Sequence, residues 1–332
     1  MTRIYRIASS IILLPVAFNL VAAEDENTQA KKPQTVQDVL EQPSVLTPKG
    51  AFQVETSLSY TQNSSNKVSV VGYTILPTLI VGRIEVSDSD RTTITAGLSG
   101  RYGISNHTEL EVRMPYVYRS DQISTRPIQD GAADETINTN LDGGGLGDIE
   151  VALRHQFNVD STPYWVGGIR VKTDTGKSPY DVDIDSDTNS YSEVPTGSGF
   201  WSIEPSISMI YPSDPAVLFA NFGYTYNFKD EVSIGDSQVE VDLGDTLSLA
   251  AGLGFAVNQD LSFSLGISHK TILKSKINGI EDDSAKLLQL DSINFGVNIA
   301  LSPSTSFNIN AQAGLTEDTP DFQLTMRVPF SF

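Results

Sequence analysis

A two-residue alternation at the carboxyl end constrains this chain more than any other feature of its sequence. From Phe322 to Phe332 every even-numbered residue is apolar, and four of the five residues between them are polar: Gln323, Thr325, Arg327 and Ser331. Successive side chains of a strand point to opposite faces, so the pattern predicts a strand with one apolar and one wet face. No segment after the first 21 residues holds the eighteen or more apolar residues that a membrane helix needs.

The same alternation recurs in several segments of about ten residues, which is long enough for a tilted strand to cross a bilayer. The clearest lie within 52–60, 109–119, 148–157 and 306–315. Short turns such as 158–163 alternate with long polar connections such as 63–91 and 120–144, as in outer-membrane barrels. A soluble β-sandwich also alternates, but it gives no reason for these loop lengths. We therefore predict an all-β fold, a transmembrane antiparallel up-and-down β-barrel of about twelve strands that start near residues 51, 92, 108, 146, 163, 199, 216, 245, 260, 287, 304 and 321.

The amino end has the features of a secretory signal peptide. Arg3 and Arg6 precede an apolar run over 7–21, and Ala22 and Ala23 form a small-residue cleavage site, so we expect residues 1–23 to be removed. Residues 24–49 are then a periplasmic tail, and residues 50–332 are the outer-membrane β-barrel.

The tail contains a candidate plug. Residues 34–42 are typical of a short helix, which Pro43 ends. A helix of this length is marginal in water and needs a surface to dock on. One hypothesis places it as a gate in the barrel lumen, and the other leaves it as a frayed periplasmic tail. The predicted gating residues are the docking face Val36, Val39 and Leu40, and a hinge from Leu46 to Gly50.

Composition excludes several functions. The formal net charge of −19 argues against a nucleic-acid partner, and the absence of cysteine removes thiolate chemistry. The three histidines are far apart and lack metal-ligand spacing, so we predict no metal and no cofactor. Ser268 and His269 are adjacent, but neighbours on a strand point to opposite faces. We therefore predict that the protein is not an enzyme.

Charged side chains of both signs fall at the inward positions of the predicted strands. Such charges must be hydrated, paired or both, because an unpaired charge in a dry interior is very costly. A conducting pore and a salt-bridged filling are the two interpretations. In the first, reversing Arg113 and Arg154 to Glu should shift selectivity toward cations. The predicted lumen charges are Glu55, Arg101, Glu109, Glu111, Arg113, Asp148, Glu150, Arg154, Arg170 and Arg327.

Several surface partners follow from a barrel of this kind. Its outer wall should contact outer-membrane lipid and lipopolysaccharide, and Phe330 and Phe332 should form the signal that the barrel-assembly machinery recognises. The acidic loop 181–187 lacks the Gly and the bidentate Glu of an EF-hand. Divalent bridging from this loop to lipopolysaccharide is therefore favoured over a specific calcium site.

Several motifs resemble a known family. The segments 44–50, 54–60, 101–116 and 145–151 are similar to outer-membrane barrels related to the meta-pathway phenol-degradation transporters, and most similar to the secretion pore for functional amyloid in pseudomonads. The resemblance spans residues 34–332. It implies a twelve-stranded barrel, an amino-terminal helix that gates the lumen, a homotrimer, and passage of unfolded amyloid subunits.

Two functional hypotheses follow. The leading one is a gated outer-membrane pore that exports an unfolded amyloid-type polypeptide. The alternative is an outer-membrane channel for the uptake of small apolar or aromatic compounds. The cargo is thus a secreted polypeptide in the first case and a small molecule in the second. A purely structural or adhesive barrel is a third possibility, and it predicts no conductance. The location in all three cases is the outer membrane of a Gram-negative bacterium.

Overall fold

The computed structural model describes residues 46–65, 85–127, 137–182, 184–185, 190–191, 193–234, 237–281 and 285–332. The predicted signal peptide and the predicted helix 34–42, with Val36, Val39 and Leu40, lie outside the described residues. Every regular element in the described part is a strand. The strands are β1 (Phe52–Ser65), β2 (Glu85–Ser105), β3 (Thr108–Pro127), β4 (Ile137–Leu146), β5 (Glu150–Gln156), β6 (Tyr164–Lys172), β7 (Ile184–Asp185), β8 (Ser190–Tyr191), β9 (Ser202–Pro212), β10 (Ala216–Asn227), β11 (Asp230–Ile234), β12 (Ser237–Asp242), β13 (Thr246–Ala256), β14 (Leu261–Ile272), β15 (Lys276–Ile277), β16 (Ile280–Glu281), β17 (Leu288–Ser302), β18 (Thr305–Gly314) and β19 (Phe322–Ser331).

Thirteen of these strands close into a barrel with twelve strand positions. Each neighbour is antiparallel in the order β1, β2, β3, β5, β6, β9, β10, β13, β14, β17, β18 and β19, and β19 returns to β1. Strand β4 continues the position of β5, because β3 pairs with β5 over Thr108–Arg113 and with β4 over Tyr116–Thr125. The predicted twelve-stranded barrel is therefore confirmed. No helix in the described ranges is long and apolar enough to cross a membrane.

The outer wall carries an apolar band with aromatic residues at both ends. Outward positions in the middle hold residues such as Leu98, Leu253 and Ile267, which is 62% exposed. The end with the short turns, which is the periplasmic end, carries Phe52, Tyr102, Phe157, Trp165, Tyr211 and Phe255. The other, outer end carries Tyr60, Tyr118, Trp201, Tyr224, Tyr226 and Phe322. An apolar band between aromatic girdles is the lipid-facing surface of an outer-membrane barrel, so the protein lies in the outer membrane.

Several strands continue beyond the length that the membrane requires. Strand β2 begins at Glu85, seven residues before the predicted start at 92, and residues 120–125 pair with residues 137–142 where a long loop was predicted. The prediction was wrong there because above the bilayer neither face must be apolar, so the alternation that marks a strand disappears. Two further hairpins, β11–β12 and β15–β16, combine into a four-stranded sheet at the outer end.

The connection from β6 to β9, which we call the loop 173–201, folds onto the inner wall at the outer end in its described parts near both strands, 173–182 and 193–201. Val194 and Thr196 lie against glycines of β4, and a Cβ on Gly143 or Gly145 would be 3.6 or 3.5 Å from their methyl groups. These glycines provide a smooth surface on which the loop packs. Further out, Phe200, Val241 and Leu243 form a small buried core between this loop and the four-stranded sheet. The outer mouth is therefore narrowed by packed chain.

Candidate transport pathway

The inner face of the barrel has two unlike walls. The charged wall consists of β19, β1, β2, β3, β5 and β6, which carry nine of the ten predicted lumen charges, and the tenth, Asp148, lies just before β5. The neutral wall consists of β9, β10, β13, β14, β17 and β18, where most inward side chains are small or uncharged. A solute in the lumen would meet guanidinium and carboxylate groups on one side and hydroxyl and amide groups on the other. The neutral wall includes Ser208, Asn221, Ser248, Ser264, Ser268, Asn294 and Asn310.

The ions at the periplasmic end of the charged wall are buried and tightly paired. Arg154 Nη1 lies 2.8 Å from Glu109 Oε1 and 2.6 Å from Glu111 Oε2. Arg101 lies 2.9 Å from Glu111 and 3.3 Å from Glu55. Because Glu109 is only 1% exposed, this part of the wall is a salt-bridged filling. Arg154 and Glu109 are thus closed off from a permeating ion.

The remaining charges of this wall reach the lumen more openly. Arg170 bridges Glu150 at 3.7 Å and Glu204 at 3.4 Å. Arg113 contacts Glu150 at 4.0 Å, and its side chain is 42% exposed. Arg327 is half-buried and lines the same cavity. The interpretation as a salt-bridged filling therefore applies to the periplasmic end of the charged wall, and the interpretation as a conducting pore applies to the rest of it.

Asp148 was predicted as a lumen charge, but its side chain is fully covered by the loop 173–201. It accepts hydrogen bonds from Gly176 N and Ser198 N, both at 3.0 Å, and from Lys172 Nζ at 2.7 Å. The side chain does point inward, but the loop packs between it and the open lumen. Asp148 therefore anchors the loop and does not line the pathway.

A second ion cluster lies nearer the outer end, and the sequence interpretation missed most of it. Asp121 Oδ1 is 2.9 Å from Arg91 Nε, and Asp121 Oδ2 is 3.2 Å from Arg119 Nε. Arg91 and Asp121 had been assigned to long loops. Every second residue of β3 from Arg113 faces inward, so following this pattern through Arg119 would have identified Asp121 as an inward acid.

The segment Leu46–Gly50, predicted as a hinge, is docked along the periplasmic mouth. Thr47 donates two hydrogen bonds to Glu109 Oε2, from its N at 2.8 Å and from its Oγ1 at 2.6 Å. Leu46 is 3% exposed and packs against Val166 on β6 and Ile210 on β9. Gly50 turns the chain into β1 with a φ of 77°, in the left-handed region that favours glycine. We call Leu46–Gly50 the strap.

Ser268 and His269 lie on opposite faces. Ser268 Oγ is 2.6 Å from Ser292 Oγ inside the barrel, whereas His269 Nδ1 is 2.6 Å from Asp291 Oδ1 on the outer wall. At the carboxyl end Phe332 donates its N–H to Phe52 O at 2.8 Å, which joins the two ends of the barrel. Recognition of Phe330 and Phe332 by the assembly machinery stays a prediction.

Family comparison agrees with this architecture. The family model described as "Putative MetA-pathway of phenol degradation" matches residues 25–332. The chain belongs to this family. Membership of the phenol-degradation family bears out the broader of the two sequence resemblances, and it does not bear on the closer likeness to an amyloid-secretion pore.

This member of the phenol-degradation family is similar to several solved outer-membrane structures. An outer-membrane channel from Pseudomonas putida F1 is 13% identical with a TM-score of 0.60, covering 87% of this chain and 98% of that chain. A monoaromatic hydrocarbon channel is 10% identical over 92% of this chain and 94% of its own, with a TM-score of 0.44. The toluene transporter of Pseudomonas putida is 10% identical over 86% of this chain and 89% of its own, with a TM-score of 0.41. The likeness to the first of these shows a common fold.

Proposed function

We propose that the protein is an outer-membrane channel for the uptake of small aromatic compounds. The observation that carries the proposal is a lumen cavity of about 210 Å³ between the two walls. An engineered protein cavity of about 150 Å³ is large enough to bind benzene. The cavity therefore has room for a single substituted ring.

The lining of this cavity suits a ring with a polar substituent. Phe219 and Ile210 provide apolar surface, whereas Ser264 and Asn310 provide hydrogen-bonding groups. Arg170 and Arg327 lie at its edge, and a guanidinium can stack on an aromatic face. The description of the family, which names phenol degradation, supports the same class of cargo.

Export of an unfolded polypeptide, the leading hypothesis from sequence, fits this interior less well. An extended chain needs a continuous opening wide enough for its largest side chains. Here the strap lies along the periplasmic mouth, and the loop 173–201 narrows the outer mouth. Buried ion pairs fill the charged wall between them. Small molecules are therefore the favoured cargo.

The proposal can be tested by narrowing the cavity. Ala250 faces the lumen, whereas its neighbour Ala251 faces lipid beside an open groove on the outer wall. In a porin-deficient Gram-negative strain, expression of the protein should accelerate uptake of labelled catechol. Ala250→Trp should return uptake to near background because the indole fills the cavity. The matched control Ala251→Trp should transport normally.

Two results would reject the proposal. One is uptake that expression does not accelerate, and the other is equal uptake by the two tryptophan variants. If the same cells instead released an unfolded reporter polypeptide, and Ala250→Trp stopped that release, export would be favoured over uptake.

A further inference from the structure

Two arginines of the charged wall keep their guanidinium groups available to a solute. The one ion-pair contact of Arg113 among the described residues is the 4.0 Å approach to Glu150, and its side chain is 42% exposed. For Arg327, no carboxylate in the described part of the chain lies within the 4.0 Å of an ion pair. By contrast, Arg154 is held at 2.6 Å by Glu111 with a side-chain exposure of only 7%.

Small residues separate these two arginines along the wall. Arg327 on β19 is opposite Ser57 on β1, and Ser57 is opposite Gly97 on β2. A Cβ on Gly97 would lie 3.9 Å from Arg113 Nε and would overlap Ser57 Oγ. Ser57, Arg113 and Arg327 all line one lumen cavity. No long side chain therefore separates the guanidinium groups of Arg113 and Arg327, and Ser57 adds a hydroxyl donor between them.

The balance of charge on this wall depends on exposure. Five arginines of this part of the wall have five glutamates around them, four on the charged wall and Glu204 on the adjacent strand β9. The side chains of the glutamates are between 1% and 21% exposed, and the 42% of Arg113 exceeds all of them. A solute therefore meets cationic groups before it meets the carboxylates behind them. The arginines are 101, 113, 154, 170 and 327, and the glutamates are 55, 109, 111, 150 and 204.

Arg327 also connects this position to the neutral wall. It lines both the cavity that it shares with Arg113 and the cavity of about 210 Å³, where Thr325 and Asn310 are also lining residues. An anionic group held between the two guanidiniums would thus leave the organic part of the same molecule in the larger cavity.

We infer that Arg113 and Arg327 form a carboxylate-binding subsite in the lumen, whose ligands are small aromatic monocarboxylates. Arginine donates paired hydrogen bonds to a carboxylate, and such charge-assisted bonds are stronger than neutral ones. Efficient passage needs binding that is strong enough to admit the solute and weak enough to release it. The aromatic part of this inference rests on the proposed function; the carboxylate part rests on the two arginines alone.

Current block in a planar bilayer tests the subsite. The full mature protein should be blocked by benzoate at lower concentration than by its neutral isostere benzamide. The double variant Arg113→Gln/Arg327→Gln should weaken benzoate block by about tenfold or more, the factor expected when a hydrogen bond to a charged group is lost. Block by benzamide should not change.

A matched charge control is Lys270→Gln. It removes one cation from an inward position of β14, outside the charged wall, and it should leave the preference for benzoate intact. The single variant Arg327→Gln gives an intermediate result if the subsite exists, and it provides a second variant should the double variant fold poorly. Equal block by benzoate and benzamide, an unchanged double variant, or an equal loss in Lys270→Gln would each overturn the inference. Benzoate block without catechol uptake would reject the proposed function and retain the subsite.

Discussion

Arg113 and Arg154 belong to neighbouring strands and have the same charge, yet their environments differ. Arg113 is opposite Glu150 in the β3–β5 ladder, and Arg154 is opposite Glu109. Arg154 has two carboxylates within 2.8 Å and is nearly inaccessible, whereas Arg113 has one at 4.0 Å. Of the two arginines whose reversal was predicted to change ion selectivity, only Arg113 is therefore placed to act on a passing ion.

Arg154→Gln should destabilise the barrel strongly. The substitution leaves Glu109 buried without its ionic partner, and breaking a buried pair in this way costs about 3–5 kcal/mol. Arg113→Gln is the control, since a partly exposed, long contact contributes at most about 1 kcal/mol. Urea unfolding of both variants from lipid vesicles measures the difference. Equal shifts of the two unfolding midpoints would contradict this assignment.

The sequence predicted which charges face inward, but not which of them pair. Inward positions follow from parity alone, and the ten predicted residues lie on the inner face. Pairing depends on the register between strands, which a single sequence does not contain. Arg101 illustrates this, since its three nearest acids come from β1 and β3. The covering of Asp148 was equally invisible, because it depends on where a distant loop folds.

At the scale of elements, one carboxylate bonds to both arms of the loop 173–201. Asp148 accepts bonds from both arms of the loop, at Gly176 and at Ser198. Lys172 joins the same cluster and donates to Ser198 Oγ at 2.5 Å and to Phe200 O at 2.7 Å. The narrowing of the outer mouth therefore depends on a buried polar network.

Asp148→Ala should release this loop. Lys172 would lose its anionic partner, at a cost of about 3 kcal/mol. If that cost is expressed as local opening, trypsin should cleave after Lys177 about a hundredfold faster, and the single-channel current should rise. The exposed Asp174, changed to Ala, is the control within the same loop and should alter neither quantity. An unchanged cleavage rate in Asp148→Ala would show that the loop is held by other contacts.

Strand prediction succeeded inside the membrane and failed above it for one physical reason. Lipid on one side and water on the other impose alternation on segments such as 52–60. The paired residues Ser120–Thr125 and Ile137–Asp142 extend beyond the apolar band, so they pair through backbone hydrogen bonds without a matching side-chain pattern. Sequence alone therefore predicted the number of strands, but it underestimated how far β3 and β4 extend beyond the membrane.

At the scale of the whole molecule, the lipid-facing band sets the cost of substitution. Ile267 lies near the middle of β14 on the outer wall, so Ile267→Arg should cost about 2–4 kcal/mol of folding free energy in lipid vesicles. The adjacent Ser268 faces the hydrated lumen, and Ser268→Arg should cost much less. Urea titrations in vesicles measure both, and similar costs would contradict the orientation of this strand.

The strap also constrains the order of assembly. It lies within the ring of strands, with Thr47 bonded to Glu109 on β3 and Leu46 packed on β6 and β9. The seam between β1 and β19 joins residues as distant as Gln53 and Ser331. Contacts between such remote positions form slowly, because a long chain must first be ordered between them. The strap must already be inside the barrel when β1 pairs with β19, because the closed ring of strands would otherwise keep it outside. Closure of the barrel and docking of the strap inside it must therefore occur as one step of folding.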